Sequence, residues 1–251
     1  MAISIHSVFD ITAITVGILA YVKCGKRLNI KERPIKYNLL IIAAILTGGG
    51  LFARLAVQFE NGLPSDPGFI INGLRTGGKS VIAGFLGAIA GTKIIKLFLP
   101  RSTYSSSDQA IGDQVIIPFS IAQIIGRIGC FLSGVTDNTH GKPTGGSLGY
   151  DYGDGILRHP TQLYEIFFVA VSCAGILFFW KRLDRYGLRF QLFVFAYCFQ
   201  RFIIEFYSIH PAPYYGLTVY QIISIAGMIW SFFLFTPVSS KISHGNLPSR
   251  K

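Results

Sequence analysis

Residues 114–134 read QVIIPFSIAQIIGRIGCFLSG, a run of 21 residues with a single charge, Arg127. An α-helix needs about 20 predominantly apolar residues to cross a hydrocarbon core of ~30 Å, so this stretch predicts a membrane span. The arginine makes the same stretch a functional lead. A cation at mid-bilayer costs about 2.5–3.5 kcal/mol even on the forgiving insertion scale, and it requires a partner. Six further apolar blocks flank it, at 5–22, 38–59, 80–99, 161–180, 188–208 and 217–236. The chain reads as an all-α polytopic membrane bundle of about seven transmembrane helices.

Composition agrees. Of 251 residues, 51% are hydrophobic and only 14% charged, where a soluble domain carries roughly a quarter charged residues. Mean hydropathy is +0.48. No Ser/Pro-rich linker, low-complexity tract or internal repeat divides residues 1–251, so a single membrane domain is expected. The net charge of +11 raises nucleic acid as a partner. The basic residues, however, lie in short loops between spans rather than on one soluble face, which excludes it. Cys24, Cys130, Cys173 and Cys198 form no CxxC pair, and the last three lie in apolar segments. They read as small packing residues, indicating neither a disulfide framework nor a zinc site. No histidine pair has metal-ligand spacing, so neither metal nor cofactor is expected.

Loop charge sets the orientation. Sixteen of the 23 Lys and Arg fall in the 23–37 loop, the third and fifth connections with their flanks, and the tail, against four on the other side: Arg75, Lys79, Lys142 and Arg158. By the positive-inside rule the first group is cytoplasmic, and an odd number of helices leaves the N-terminus outside and the C-terminus inside. The first span is not expected to be a cleaved signal peptide, because no basic residue precedes it. Residues 135–160, VTDNTHGKPTGGSLGYDYGDGILRHP, are too polar and glycine-rich to span. They predict an extracytoplasmic loop over the mouth of the bundle, built either from ordinary Gly/Asp turn chemistry or for a task of its own.

Five charges fall in or beside apolar segments: Arg54, Arg127, Glu165, Arg201 and Glu205. Arg201 and Glu205 are four apart and share a helix face, where they can pair locally. Arg127 has no acid within four residues, so it must meet Glu165 or Glu205 from another helix, or a ligand anion. The guanidinium fork suits phosphate bidentately, and the abundant anions at this depth are phospholipid headgroups. Arg127 and Arg201 are therefore candidates for a phosphate clamp, while Arg54 can snorkel to the interface. Gly48, Gly49 and Gly50, with Gly84, Gly87 and Gly91, predict close helix packing. His6, His210 and His244 read as interfacial or tail residues. His140 and His159 sit in the outer loop, where a base would be useful.

Four pieces of the chain carry a family resemblance: QIIGRIGCFLSG at 123–134, RHPTQLYE at 158–165, YCFQRFIIEF at 197–206 and QIIS at 221–224, with GKPT at 141–144 between the first two. In order and spacing they resemble the prolipoprotein diacylglyceryl transferases of bacterial inner membranes. The resemblance implies transfer of the diacylglyceryl group of phosphatidylglycerol to the lipobox cysteine of an exported preprotein. It implies an active site toward the outer leaflet, with Arg127 and Arg201 as essential arginines and Glu205 orienting the second. Gly129, Gly141, His159, Gln162, Tyr164, Glu165 and Gln221 are then expected around the substrate. Departures are equally specific. Ile82 stands where the family has the His proposed as base, so His140 is the expected base here, with His159 second. Cys130 and Ser133 replace asparagines, Val135 replaces a carboxylate, and Ser208 replaces a second arginine. These losses keep two alternatives open: a paralogue with another acceptor, and a catalytically silent phospholipid-binding membrane protein.

Overall fold

The structure is a computed structural model that describes residues 5–27, 35–63, 68, 71, 78–98, 107–183 and 187–233. Arg75, Gly77, Arg101, Arg185, His244 and the basic tail, used above for orientation or motif, lie outside the described residues. Seven helices follow in order: α1 Ile5–Arg27, α2 Ile35–Gln58, α3 Val81–Phe98, α4 Ser107–Leu132, α5 Thr161–Phe178, α6 Leu188–Ile204 and α7 Val219–Phe233. The first five are long and apolar enough to cross a membrane. At about 1.5 Å per residue, the 15-residue α7 is the short one, and α6 is lengthened by a 3₁₀ turn over Glu205–Tyr207. Large apolar side chains such as Ile14, Leu46, Leu97, Phe178 and Phe233 are well exposed, as a lipid-facing belt requires. The chain is an integral membrane protein of all-α class.

Two helices run beyond the expected spans, each for a visible reason. α4 starts at Ser107 because polar groups near its start find partners within the bundle. Arg189 Nη1 donates to Asp113 Oδ2 (3.1 Å) and the Phe190 N–H to Asp113 Oδ1 (3.1 Å). Gln114 Nε2 donates to the Tyr21 carbonyl (2.8 Å). α1 continues past Val22 to Arg27 because Gly25 lets it lie directly against the Gln114 amide.

α2 and α3 approach through small residues. A Cβ on Gly48 would stand 2.5 Å from the Gly87 carbonyl, and one on Gly84 would stand 3.1 Å from the Ala53 Cβ. Gly49 faces the Gly84 carbonyl, but Gly50 has nothing within reach of a Cβ, so the seam uses two of the three consecutive glycines. Small residues at a membrane helix interface admit backbone contact that lipid cannot supply. Gly48→Ala is expected to destabilise by about 1–3 kcal/mol through overpacking. Gly50→Ala should be neutral or stabilising, since alanine is worth about 0.5–1 kcal/mol over glycine within a helix. Thermal unfolding of both variants in detergent checks this, and equal melting temperatures would show that the seam does not depend on close approach.

The core is aromatic where α3, α4 and α6 meet. Phe85 and Phe119 pack with centroids 4.3 Å apart and planes tilted by 35°, and the Tyr197 ring packs edge-on to both at 5.3 and 5.2 Å. Ile82, at the start of α3, is 1% exposed inside this core. All four cysteines are free.

Residues 133–160 form a folded cover at one end of the bundle. A two-residue hairpin pairs Tyr150–Asp151 (β1) with Leu157–Arg158 (β2). The Asp151 carboxylate closes its turn by accepting the backbone N–H groups of Gly153, Asp154 and Gly155. Arg158 beside Asp154 holds that carboxyl below the usual carboxylate range, chiefly by hydrogen bonding. The cover is pinned to the end of α6, since the Lys142 N–H donates to the Tyr207 carbonyl (2.7 Å) and Gly141 bridges Ser208.

Candidate functional site

Beneath this cover, three helices each contribute one face. α4 carries Gln123, Arg127 and Cys130, α5 carries Gln162 and Glu165, and α6 with the 3₁₀ turn that extends it carries Tyr197, Arg201 and Glu205, all at the three- to four-residue spacings that align side chains. Glu165, 2% exposed, is the centre. Its Oε2 accepts Arg127 Nε (2.7 Å) and Gln123 Nε2 (3.3 Å), and its Oε1 accepts Arg201 Nη1 (2.5 Å). The structure thus brings Arg127 and Arg201 within the width of one carboxylate. Arg201 Nη2 donates to Glu205 Oε2 (2.7 Å), the local pairing that four-residue spacing allows. Both arginine side chains are about one-tenth exposed. Neither meets lipid alone.

The network continues through residues that carry no signal in the sequence. Glu205 Oε1 lies 2.6 Å from His210 Nδ1, and Ser208 Oγ lies 2.5 Å from the same nitrogen. His210 Nε2 is 3.9 Å from Glu60 Oε1, and the Tyr220 hydroxyl donates to Glu60 Oε2 (3.3 Å). His210, expected to be merely interfacial, therefore grips the far side of Glu205. It does so close to Ser208, the position at which the family's second arginine is absent. A second residue without a signal in the sequence is Tyr197. The Tyr197 hydroxyl is buried without a hydrogen-bond partner among the described residues, close enough to both arginines and Glu165 to feel their charges. An orphaned hydroxyl beside two guanidiniums can donate to a ligand oxygen, and burial without a partner is costly.

The remaining expected residues divide between the cover and the packing. His140 is 9% exposed, with Nδ1 3.1 Å from the Gly141 carbonyl. A carbonyl accepts only, so Nδ1 carries a proton, and in the neutral ring Nε2 then carries the lone pair. His159 does not cap α5 with its side chain. Pro160 holds the cap position, and His159 Nδ1 meets the Tyr164 hydroxyl (3.1 Å), with Tyr207 packed against the imidazole. Gln162 ties the cover down, accepting from the Tyr152 hydroxyl (2.8 Å) and donating to Thr139 Oγ1 (3.1 Å). Burial pushes the Tyr152 phenol up to about 12, which keeps it a donor. Gly141 must be glycine, since a Cβ there would stand 2.6 Å from the Tyr207 carbonyl. Gly129 makes room for Phe9 of α1, whose Cβ would lie 2.5 Å from a side chain at 129. Gln221 forms a capping box at α7: its Oε1 accepts the Thr218 N–H (2.9 Å), and Thr218 Oγ1 accepts the Gln221 N–H (3.1 Å). Its Nε2 is buried and unpartnered among the described residues. A cleft of about 520 Å³ lined by Phe52, Phe59, Leu86, Ile223 and Trp230 opens between α2, α3 and α7.

Buried paired arginines thus lie under a polar cover inside a bundle of apolar helices. The sequence pattern of the family described as "Prolipoprotein diacylglyceryl transferase" matches residues 1–236, and the chain belongs to that family of transferases of lipoprotein biosynthesis. It is 33% identical over 204 residues, 74% of this chain and 68% of the relative, to the phosphatidylglycerol–prolipoprotein diacylglyceryl transferase of Francisella tularensis subsp. holarctica (strain FTNF002-00 / FTA). To the Clostridium tetani (strain Massachusetts / E88) protein of the same name it is 30% identical over 238 residues, covering 88% of this chain and 89% of that one.

Proposed function

We propose that the protein transfers the diacylglyceryl group of phosphatidylglycerol to the cysteine thiol of an exported preprotein, with Arg127 and Arg201 holding the phosphate. The observation that carries this is the convergence of both guanidiniums on Glu165, beside the orphaned Tyr197 hydroxyl. In the reaction a thiolate sulfur attacks the glyceryl carbon bound to phosphate. An S–C bond forms, the C–O bond breaks, and its electron pair stays on the phosphate oxygen of the departing glycerol phosphate. Negative charge grows on that phosphate, where preorganised donors in a water-poor site act most strongly. Glu205 keeps the Arg201 fork oriented and does not itself move the proton. His140, with its free Nε2, is the base that receives the thiol proton, and His159 is its alternative. The acyl chains lie in the cleft between α2, α3 and α7. Its rim at Phe59 and Val219 adjoins Glu60 and Tyr220, at the end of the charge network.

The same reading places the cover, residues 135–160, outside the cytoplasmic membrane, with the N-terminus outside, the C-terminus inside and the site toward the outer leaflet. The basic loops support it. The cover is part of one membrane domain.

The test is to incubate purified protein with phosphatidylglycerol micelles and a peptide containing a lipobox cysteine, and to follow peptide mass. A diacylglyceryl gain is expected. Lipid binding without any gain would establish the silent-binder alternative instead. His140→Ala should remove the acid limb of the pH–rate profile, while His159→Ala should leave it in place. An unchanged profile in both variants and in the double variant would exclude the two histidines as base.

A further inference from the structure

Three side chains, one from α1 and two from the end of α4 and the turn after it, meet beside Arg127. His6 of α1, Cys130 of α4 and Asp137 of the following 3₁₀ turn present one donor atom each, all within 4.8 Å of one another. His6 Nε2 already lies 3.1 Å from Asp137 Oδ1. Zinc bonds of about 2.0–2.3 Å place tetrahedral donors roughly 3.5 Å apart, so small side-chain rotations suffice to close the set. A surrounding layer is also present. Asp10 Oδ1 is 3.4 Å from His6 Nδ1, at an angle too poor for a hydrogen bond, since that nitrogen has no partner among the described residues. A slight ring turn would complete the carboxylate–histidine–metal arrangement that fixes a ligand's tautomer. Thr139 Oγ1 donates to Asp137 Oδ2 (2.7 Å), which leaves Oδ1 to face the cluster. Arg127 Nη1 lies 3.9 Å from Cys130 Sγ, positioned to donate to a thiolate.

We propose that His6, Cys130 and Asp137 bind a zinc ion whose fourth position takes the acceptor cysteine of the preprotein. One imidazole, one thiolate and one carboxylate are ligands zinc accepts, and three protein ligands with an open position are the pattern of a catalytic rather than a structural site. A thiol that coordinates zinc loses its proton. The site thereby answers the loss of the family's histidine at Ile82, which is core. It also explains why Cys130, which stands in place of an asparagine, adjoins the phosphate-binding arginine. The proton passes to His140, the metal-held sulfur attacks the glyceryl carbon, and the C–O electron pair leaves on glycerol phosphate one helical turn away, at Arg127. This deepens the proposed transferase reaction and rests on it.

The full chain, purified in detergent and loaded with zinc chloride or cobalt chloride, is the test material. About one equivalent of metal should survive gel filtration. The cobalt form should show a near-ultraviolet thiolate-to-cobalt charge-transfer band, absent from Cys130→Ser and His6→Ala. Asp10→Asn should weaken zinc affinity about 10–100-fold. A lipobox peptide with cysteine should intensify the band, and its serine counterpart should not. His6 is partly exposed, so His6→Ala provides a folded control should Cys130→Ser prove unstable. Metal retained equally by the wild type and both ligand variants would mark an adventitious ion only and overturn the site. An unchanged transfer rate after complete removal of the metal would overturn its role in the reaction. Metal binding with the full spectral signature, but no diacylglyceryl transfer, would instead sink the transferase reading and leave the site standing.

Discussion

Replacing Arg201 by alanine is expected to lower kcat about 10²–10³-fold while changing KM little. The magnitude is that of removing one preorganised donor from the place where charge develops. The split between the two constants follows from timing. In the proposed reaction the phosphate already carries charge in the bound lipid and gains more as the C–O bond breaks, so a guanidinium holding it would contribute most in the transition state. Arg201 donates through Nη1 and Nη2 to two different carboxylates, which fixes its plane before substrate arrives. Arg201→Lys keeps the charge but not the planar fork and should recover only part of the rate. Unfolding temperature must be followed alongside, because Arg201 is also structural. Its loss leaves Glu165 still paired with Arg127 and Glu205 still paired with His210, so neither carboxylate is stranded. A kcat within a few-fold of wild type in both variants would remove Arg201 from the chemistry.

The membrane fold was legible because its signal is repeated and coarse. Seven apolar blocks survive an error of several residues at any boundary. The overruns of α1 and α4 were not legible, since Gly25 meeting Gln114, and Asp113 meeting Arg189, are tertiary events. In the site, charged residues inside apolar runs announced themselves. Arg127, Glu165, Arg201 and Glu205 were singled out for the energetic cost of burying them, and the structure gathers all four into one network. His210 and Tyr197 were missed for the opposite reason. A histidine just past a helix end and a tyrosine inside an apolar run carry no visible penalty, and their significance lies only in what stands opposite. The His6–Cys130–Asp137 cluster could not be seen from spacing, because more than a hundred residues separate its first member from the rest. Resemblance has its own blind spot. Gly129, Gln162 and Gln221 match family positions, yet a match does not distinguish a residue that touches substrate from one that admits Phe9, holds the cover or caps α7.

Glu165→Gln tests the centre of the network, and the expected loss of stability is about 3–5 kcal/mol, the cost of breaking a buried ion pair by removing one partner. The substitution preserves shape, so packing is not the cause. A carboxylate accepts on both oxygens, whereas an amide accepts on one and donates on the other. Either Arg127 or Arg201 would then face an N–H₂ group across a distance at which each now makes a hydrogen bond of 2.5–2.7 Å. The two guanidiniums, held about one-tenth exposed, would also lose the charge that separates them electrostatically. Their mutual repulsion makes the variant a reporter of ligand. If a phospholipid phosphate occupies the space between the arginines, it supplies the missing negative charge. Phosphatidylglycerol should then raise the variant's melting temperature more than it raises that of the wild type, by the linkage that gives about 2.7 kcal/mol at a hundredfold excess over Kd. A zwitterionic lipid of the same chain length, whose phosphate charge is offset by its ammonium group, should rescue less. Unfolding in a graded lipid series would show the difference directly. A Glu165→Gln protein as stable as the wild type would mean that the arginines are satisfied by water rather than by this carboxylate. A destabilised variant rescued equally by both lipids would mean that the pair senses bilayer thickness or acyl chains and not the headgroup anion.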